Sequence, residues 1–287
     1  MTDKQAIEHV SDTALWVAMY RAMETDRPDA HFKDPLARVL AGERGAAILA
    51  GMPDGESTAW PMIVRTAVFD DMILKAVRDR GAKVVVNLAA GLDARPYRLN
   101  LPSDLEWIEV DLPDMIDYKV ARIGDAKPLC RLERVKLDLS DIPARRAFFD
   151  RIDTMGKPTL IITEGLLIYL TPEAVVSLCD DLQARMMFRW WLIDFASPLL
   201  LKMLAKRWGP SLKAGNSEFK FAPENGAAFF TSRGWTMAEE RIPADEARRL
   251  KREMRFAWAW RILGMLMPAE KREQYRRMSG FALLGRP

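Results

Sequence analysis

The chain has 287 residues, 49% of them hydrophobic and 29% charged, with a formal net charge of +3 and an isoelectric point near 8.8. This length and apolar content predict a folded globular protein built on one large domain. The excess of positive charge falls short of that of a typical nucleic-acid-binding surface, so no nucleic-acid partner is expected.

The cysteines and the first residues indicate a reducing compartment. Cys130 and Cys179 are isolated, with neither CxxC spacing nor His neighbours, which disfavours disulfides and metal binding alike. The first ten residues, MTDKQAIEHV, carry acids and lack the apolar centre of a signal peptide. We therefore expect a cytoplasmic protein without a metal site.

Two apolar segments raise the question of a membrane. The first, residues 190–204, is interrupted by Asp194, Pro198 and Lys202. The second, residues 256–268, has about half of the length that a spanning helix needs. Both are interpreted as core or pocket lining, and no membrane span is expected.

After a helical first part, strand-like and helix-like segments alternate along the chain. The predicted strands comprise residues 84–89, 105–113, 132–140, 158–170 and 190–196, with two weaker candidates at 235–242 and 280–286. Helix-forming segments lie between them, such as residues 171–186, where Thr171 is a predicted N-cap and Pro172 the first helical residue. This alternation is typical of α/β proteins with a mostly parallel, helix-covered sheet.

No internal repeat or low-complexity linker divides the sequence, so residues 1–287 are expected to form a single domain. Within it we distinguish a helical amino-terminal extension at 1–80 and a cofactor-binding core at 81–197. Residues 198–222 and 243–279 fall outside the strand pattern. They are predicted to be insertions that cover the carboxyl edge of the sheet as a lid and a wall for the substrate.

The turn after the first strand is built from small residues. In VVVNLAAG, residues 84–91, the valines predict a strand buried on both faces, and Ala89 and Gly91 belong to the turn that ends it. Ligands of open parallel sheets bind at the carboxyl ends of the strands, and small residues let a ligand approach the backbone closely. A glycine that only tightens a loop is the alternative interpretation.

Acidic residues follow the ends of the next three strands. Asp111 lies about twenty residues after the turn, where a carboxylate can accept hydrogen bonds from both hydroxyls of a ribose. Asp138 would accept from an adenine amino group while Leu139 packs on the ring, and Glu164 follows the fourth strand. For Asp111 and Asp138, a helix N-cap or a solvated loop position is the alternative.

The turn does not have the composition of a dinucleotide site. Residues 87–95, NLAAGLDAR, lack the three glycines that let a pyrophosphate bind at a helix N-terminus. This disfavours a nicotinamide-dependent oxidoreductase and favours a nucleoside ligand without phosphates. S-adenosyl-L-methionine is such a ligand, and carboxylates would also stabilise its sulfonium and ammonium groups.

Several segments together resemble one protein family. Residues 84–99, 107–113 (WIEVDLP), 135–141 (VKLDLSD) and 163–170 (TEGLLIYL), with the flanking segments 11–37, 63–71, 229–235 and 279–286, are similar in order and spacing to the leucine carboxyl methyltransferase family. The similarity is greatest to its bacterial S-adenosylmethionine-dependent branch, which includes polyketide carboxyl O-methyltransferases. The resemblance covers nearly the whole chain. It implies a class I methyltransferase fold, which is Rossmann-like, with seven strands of which the last is antiparallel, and S-adenosyl-L-methionine as cofactor.

The resemblance also implies roles for individual residues. Arg65 would bind the methionyl carboxylate of the cofactor through its planar guanidinium, the alternative being a surface ion pair with Asp70 or Asp71. Glu164 would face the cofactor ammonium or the acceptor pocket, and Glu164 and Tyr169 are the candidate catalytic residues. The other cofactor contacts that it implies are Ala89, Gly91, Asp111, Leu112, Asp138 and Leu139.

Two positions in the match bear on how the cofactor is held. Ala89 stands where the eukaryotic members of the family have a glycine, so the backbone is expected to approach the cofactor less closely. Those members also place a basic residue in the amino-terminal helix, for which Arg21 is the candidate here.

The second insertion, residues 243–279, combines many Arg and Lys residues with large apolar side chains. The apolar members are Trp258, Trp260, Leu263, Met265, Leu266 and Met267. One interpretation is an amphipathic helix with a solvated basic face. The other is a pocket for a hydrophobic acid, whose body packs on Trp and Met while its carboxylate lies near an Arg.

Together these observations predict an S-adenosylmethionine-dependent O-methyltransferase that converts the carboxylate of a small or medium apolar acid, such as a polyketide, to a methyl ester. His9 and His31 are the only histidines, and neither lies in a motif that orients a general base. A carboxylic acid needs no base, because it is already ionised at neutral pH. The alternatives are a hydroxyl or phenol acceptor, a protein carboxyl terminus, a non-catalytic binding module and a nucleic-acid methyltransferase, and the oligomeric state is left open.

Overall fold

The apolar runs of the sequence form the strands of one seven-stranded sheet. The computed structural model describes residues 10–52, 55, 58–214, 218–265 and 267–287. Its strands are β1 (Val84–Leu88), β2 (Glu106–Asp111), β3 (Arg131–Lys136), β4 (Thr159–Thr163), β5 (Phe188–Ala196), β6 (Thr236–Arg241) and β7 (Ser279–Gly285). They lie in the order β3-β2-β1-β4-β5-β7-β6, with β1 to β5 parallel and β7 antiparallel to both of its neighbours. The predicted fold class is confirmed.

Helices connect these strands and cover both faces of the sheet. They are α1 (Val10–Asp26), α2 (Ala37–Gly51), α3 (Trp60–Arg78), α4 (Arg95–Arg98), α5 (Pro113–Ile123), α6 (Ile142–Asp153), α7 (Pro172–Gln183), α8 (Pro198–Ala214), α9 (Ala228–Thr231), α10 (Pro243–Arg249), α11 (Ala257–Met265) and α12 (Ala269–Arg276), with a 3₁₀ turn at Leu167–Tyr169. Thr171 caps α7 as predicted, because its hydroxyl accepts a hydrogen bond from Ala174 N at 3.2 Å. Among the described residues, no helix has the length and apolar content to span a bilayer.

The fourth strand is shorter than its apolar run predicts. The run extends over residues 158–170, but β4 ends at Thr163. Gly165 has a φ of 66°, a left-handed conformation that leaves the extended path, and the 3₁₀ turn follows at once. Apolarity alone does not distinguish a strand from a buried turn. The end of β4 at Thr163 places Glu164 directly after the strand, as the sequence predicts, and places Tyr169 beyond it in the 3₁₀ turn.

The sheet is buried on both faces, as the valine-rich first strand predicts. Val84 and Val86 face one core layer, formed with α6 and α7, whereas Val85 faces the other, formed with α3. All five residues of β1 are buried. Full burial of such side chains contributes about 1.5 to 3 kcal/mol each relative to exposure. A strand that is anchored on both faces gives the turn after Leu88 a fixed starting point.

The two predicted insertions are partly integrated into the core. α10 packs against α3 and β7, and Ala247 and Leu250 belong to the core layer on the α3 side. After α8, the backbone N–H groups of Lys220 and Phe221 donate to Ile168 O, and Phe221 is buried. These parts of 198–222 and 243–279 therefore belong to the core, and a role of the two segments as a lid and a substrate wall stays a prediction.

Candidate active site

The turn after β1 is held in a left-handed conformation at two positions. Ala89 has a φ of 54° and Gly91 a φ of 49°. A Cβ atom on Gly91 would lie 3.4 Å from the Cβ of Ala14 in α1, so the helix packs closely over the turn. The left-handed conformation raises the energy of a residue with a Cβ atom by about 1 to 2 kcal/mol. A glycine would therefore be favoured at position 89. In this chain Ala89 bears that strain, and the turn is maintained by its surroundings.

Asp111 is fixed to this turn by its own side chain. Its Oδ2 accepts a hydrogen bond from Gly91 N at 2.6 Å, and its Oδ1 accepts one from Leu112 N at 2.7 Å. Burial raises the pKa of the Asp111 carboxyl, although these two backbone N–H groups act to lower it. An ionised carboxylate has about four acceptor positions, so two remain for a ligand. The last residue of β2 is thereby oriented beside the first turn, as a ribose site requires.

Asp138 and Leu139 follow the neighbouring strand β3. Asp138 is exposed, and its Oδ1 accepts from Ser140 N at 2.8 Å. Leu139 is partly buried against the core layer that contains α6, and its carbonyl accepts from Arg145 at 3.0 Å. These contacts fit the adenine role as well as a capped loop, so the adenine role stays a prediction.

Arg65 forms an interior ion pair with two acids. From α3 its Nε donates to Glu164 Oε1 at 3.0 Å and its Nη1 donates to Asp194 Oδ2 at 3.0 Å. Burial opposes the charge of the Arg65 guanidinium, but the two carboxylates outweigh it and raise the pKa. The alternative surface pair with Asp70 or Asp71 does not form. Among the described residues no acceptor contacts Nη2, which leaves this nitrogen for a ligand carboxylate.

Glu164 continues this pair into a larger buried network. Its Oε2 lies 2.7 Å from Nη1 of Arg95, and Arg95 also contacts Asp93 at 2.9 Å and Asp70 at 2.7 Å. Arg98 binds the same Asp70 at 2.6 Å. No sequence pattern identifies the remaining members of this network, which are Asp70, Asp93, Arg95, Arg98 and Asp194. The motif LDARPYR contains a local signal, because Arg95 and Arg98 are three residues apart on a short helix.

The charges of this network depend on one another. Burial acts to raise the pKa of Asp93, but the charges of Arg95 and of the other nearby cations outweigh it and lower the pKa to about 2. The folded value is thus below the ordinary value of about 3.9. The ionised Asp93 therefore stabilises the folded chain at pH values above about 4, and this contribution is lost as the pH falls towards 2.

Arg21 has a positioning role in this structure. Its Nε donates to Asp34 at 2.8 Å and its Nη2 donates to the carbonyl oxygen of Leu92 at 2.6 Å. Leu92 follows Gly91, so Arg21 ties α1 to the β1 turn. Because two of its nitrogens already bind protein oxygens, a direct contact of Arg21 with the cofactor stays a prediction.

Tyr169 lies near Arg65 and contacts the amino-terminal extension. It forms a side-chain hydrogen bond with Thr13 of α1, and its ring lies 5.5 Å from that of Phe219. Burial raises the pKa of the Tyr169 hydroxyl. The hydroxyl is therefore protonated at neutral pH and is available as a hydrogen-bond donor. His31 is engaged elsewhere, with its Nε2 at 2.5 Å from Leu250 O, and His9 lies outside the described residues.

The network carries more negative than positive groups. Arg21 and Asp34 belong to it because Nε of Arg98 lies 3.7 Å from Asp34 Oδ2. Its four guanidinium groups are thus those of Arg21, Arg65, Arg95 and Arg98, and its five carboxylates are those of Asp34, Asp70, Asp93, Glu164 and Asp194. Asp111 adds a further acid at the same edge of the sheet. Such a set favours a cationic ligand and disfavours an anionic pyrophosphate.

In the described part of the chain, the His, Cys, Asp and Glu side chains form no group that could hold a metal ion.

Comparison with known proteins identifies the family of this chain. Residues 14–183 match the model of the leucine carboxyl methyltransferase family. The chain therefore belongs to that family. A relative from Mycobacterium sp. strain KMS, named as a candidate S-adenosyl-L-methionine-dependent methyltransferase, is 38% identical over 189 residues. A relative from Mycolicibacterium gilvum with the same designation is 39% identical over 195 residues.

The matched segments cover 61% of this chain and 62% of each of these two relatives, so the chain spans less than two thirds of their length. Among solved structures, a DUF574 family protein from Streptomyces avermitilis has a TM-score of 0.59 at 12% identity and covers 94% of this chain and 97% of its own. A candidate methyltransferase from Thermobifida fusca has a TM-score of 0.57 at 14% identity, with coverage of 99% and 96%. Both structural similarities concern the fold alone.

The buried network should make a large contribution to stability through Arg95. We expect Arg95→Ala to lower the free energy of unfolding by about 3 to 5 kcal/mol, because it removes from the interior the cation that Asp70, Asp93 and Glu164 share. Arg151→Ala is the matched control, since Arg151 pairs with Glu133 and both side chains are 48% exposed. For Arg151→Ala the free energy of unfolding should fall by less than about 1 kcal/mol. Urea denaturation of both variants measures the difference, and losses of equal size would contradict this view of the network.

Proposed function

We propose that this chain is an S-adenosyl-L-methionine-dependent O-methyltransferase. One observation carries the proposal, namely the fixed carboxylate of Asp111, which both Gly91 and Leu112 orient beside the small-residue turn. A carboxylate at the tip of the second strand suits the two hydroxyls of a ribose. The names of the Mycobacterium and Mycolicibacterium relatives support the choice of cofactor. When bound, the cofactor supplies an activated methyl group on a sulfonium.

The residues at the carboxyl edge fit this cofactor. Asp111 would accept from the ribose, with Leu112 beside it, while Asp138 and Leu139 would contact the adenine. Ala89 and Gly91 would line the turn around the amino acid moiety. The excess of carboxylates compensates the positive charge of the sulfonium and ammonium groups, whereas it would repel the phosphates of a dinucleotide.

Arg65 would bind the methionyl carboxylate through Nη2, while Glu164 and Asp194 hold its other two nitrogens. Gly165 permits this arrangement, because a Cβ at that position would lie 3.0 Å from Nη1 of Arg65. The guanidinium plane is therefore fixed before any ligand binds. Preorganisation of this kind lowers the cost of ordering the site on binding.

For the methyl acceptor, the groups near Arg65 favour an acid. Tyr169 retains its proton at neutral pH and can donate a hydrogen bond to an acceptor oxygen, but it cannot serve as a base. The carboxylate of Glu164 is engaged by Arg65 and Arg95. An acceptor that arrives already ionised needs no base, and alignment of its oxygen with the methyl carbon then supplies much of the rate. The proposed acceptor is the carboxylate of a small or medium apolar acid, such as a polyketide.

Cofactor binding tests the role of Asp111. We expect Asp111→Ala to weaken the binding of S-adenosylhomocysteine about 30- to 100-fold, since the loss of charge-assisted hydrogen bonds to two hydroxyls costs about 2 to 3 kcal/mol. Asp104→Ala is the control, because Asp104 is exposed and lies just before the amino end of the same strand. Calorimetric titration measures both affinities, and melting curves establish that each variant is folded. Wild-type affinity in folded Asp111→Ala would disprove the ribose assignment.

The product tests the class of acceptor. We expect the enzyme to convert apolar carboxylic acids to methyl esters, which mild alkali cleaves, with a rate of methyl transfer that is constant between about pH 6 and 8. His31→Ala should retain most of this rate, because Nε2 of His31 contacts a backbone carbonyl. Mass spectrometry before and after alkaline treatment identifies the bond. An alkali-stable methyl ether, together with a rate that rises towards pH 8, would instead assign a hydroxyl acceptor.

A further inference from the structure

α11 presents an apolar face to solvent. Trp258, Ile262 and Met265 recur at intervals of four and three residues, so they lie on one side of the helix. Their exposed fractions are 59%, 53% and 67%. Leu266 lies outside the described residues, as do the side chains of Trp260 and Leu263. An amphipathic helix that packs on a core would bury this face, and here it points outward.

The residues before the helix extend the same kind of surface. Met254 is exposed, and Phe256 is 56% exposed. Phe256 also has a φ of 61°, which is a strained conformation for a bulky side chain. The guanidinium of Arg255 lies 4.8 Å from the centre of its ring. A strained aromatic residue that is held out in water indicates that this surface has a partner.

Uncompensated cations accompany these apolar side chains. Lys251, Arg255, Lys271 and Arg272 are exposed, and none forms an ion pair within the described part of the chain. Glu270 of the same segment is also exposed and also forms no ion pair with the described residues, so it can offset only one of these four positive charges. The nearby Arg261 and Arg276 are in contrast paired with Glu253 and Asp245. The segment that carries these apolar side chains therefore also carries several exposed cations that form no ion pair with the described residues.

We propose that the surface formed by Met254, Phe256, Trp258, Ile262 and Met265, together with the exposed Lys and Arg residues of the same segment, docks on an anionic lipid surface. Aromatic and aliphatic side chains on one side of a short helix enter the headgroup region, and basic residues beside them bind anionic headgroups. A second copy of the chain is disfavoured, because a two-fold contact would bring the uncompensated cations of both copies together. The docking is independent of the methyl transfer proposed above.

The position of α11 relates this surface to the candidate site. Residues 242–278 connect β6 to β7. In the sheet register, Arg241 at the end of β6 lies opposite Phe281, and Ala196 at the end of β5 lies opposite Ser279 at the start of β7. The connection therefore leaves and rejoins the sheet at the carboxyl edge, where Arg65, Glu164 and Asp111 lie. The connection that carries α11 thus begins and ends at the edge of the sheet where the proposed acceptor would bind.

Co-sedimentation with vesicles tests the proposal on the full chain. We expect binding to vesicles of phosphatidylcholine and phosphatidylglycerol in a ratio of roughly 7:3, little binding to phosphatidylcholine alone, and release by high salt. Ile262→Ser should reduce binding at least about fivefold. Val39→Ser is the matched control, because Val39 is a 50% exposed β-branched residue on α2, and it should bind as the wild type does.

Three results would overturn the proposal. The first is the absence of binding to the anionic vesicles. The second is equal binding by wild type and Ile262→Ser. The third is a concentration-dependent dimer in analytical ultracentrifugation that Ile262→Ser abolishes, which would assign the surface to a second copy of the chain. Since both substituted positions are exposed, both variants are expected to fold, and circular dichroism verifies this.

Discussion

The carboxylate of Glu164, held between the guanidinium groups of Arg65 and Arg95, is the contact on which the carboxyl edge of the sheet depends. It joins β4 to α3 and α4, and Asp194 adds β5 through the same Arg65. Charges can be buried only when they are paired, so each of these side chains requires the others. The elements that surround the proposed cofactor are thereby fixed relative to one another before a ligand binds.

The same network restricts what the site can bind. Protein carboxylates already occupy two nitrogens of Arg65, and two nitrogens of Arg95, Nε and Nη1, contact Asp70, Asp93 and Glu164. Few cationic groups therefore remain to bind the two phosphates of a dinucleotide. The surplus of carboxylates and the fixed acceptor of Asp111 instead suit a ribose that is joined to a positively charged group. The electrostatics of the network and the composition of the turn thus favour the same ligand class.

Local sequence patterns predict much of this fold but few of its ion pairs. Neighbouring residues are sufficient to predict the valine-rich first strand, the cap at Thr171 and the position of Asp111 after a strand. Each of these features depends on residues that are close together along the chain. The partners of Arg65 are not, since Glu164 and Asp194 are 99 and 129 residues away along the chain. Arg21 illustrates the same limit. Its helix is predicted, but its contact with Leu92 O depends on how α1 packs over the turn.

The insertions show a second limit of local patterns. The composition of 243–279 predicts either an amphipathic helix with a basic face or a pocket for a hydrophobic acid, without indicating which residues face the core. The structure buries Ala247 and Leu250 of this segment and leaves Trp258 and Ile262 exposed. Tertiary packing decides between these outcomes, because both sets of residues have helical spacing.

The proposed function depends most directly on the class of ligand that binds at the carboxyl edge of the sheet. Calorimetric titration of the full chain with S-adenosylhomocysteine and, separately, with NAD⁺ measures the affinity for each ligand class. The account predicts binding of S-adenosylhomocysteine with one site per chain and at least about 100-fold weaker binding of NAD⁺, a difference of about 2.7 kcal/mol. Binding of NAD⁺ that equals or exceeds that of S-adenosylhomocysteine would contradict it.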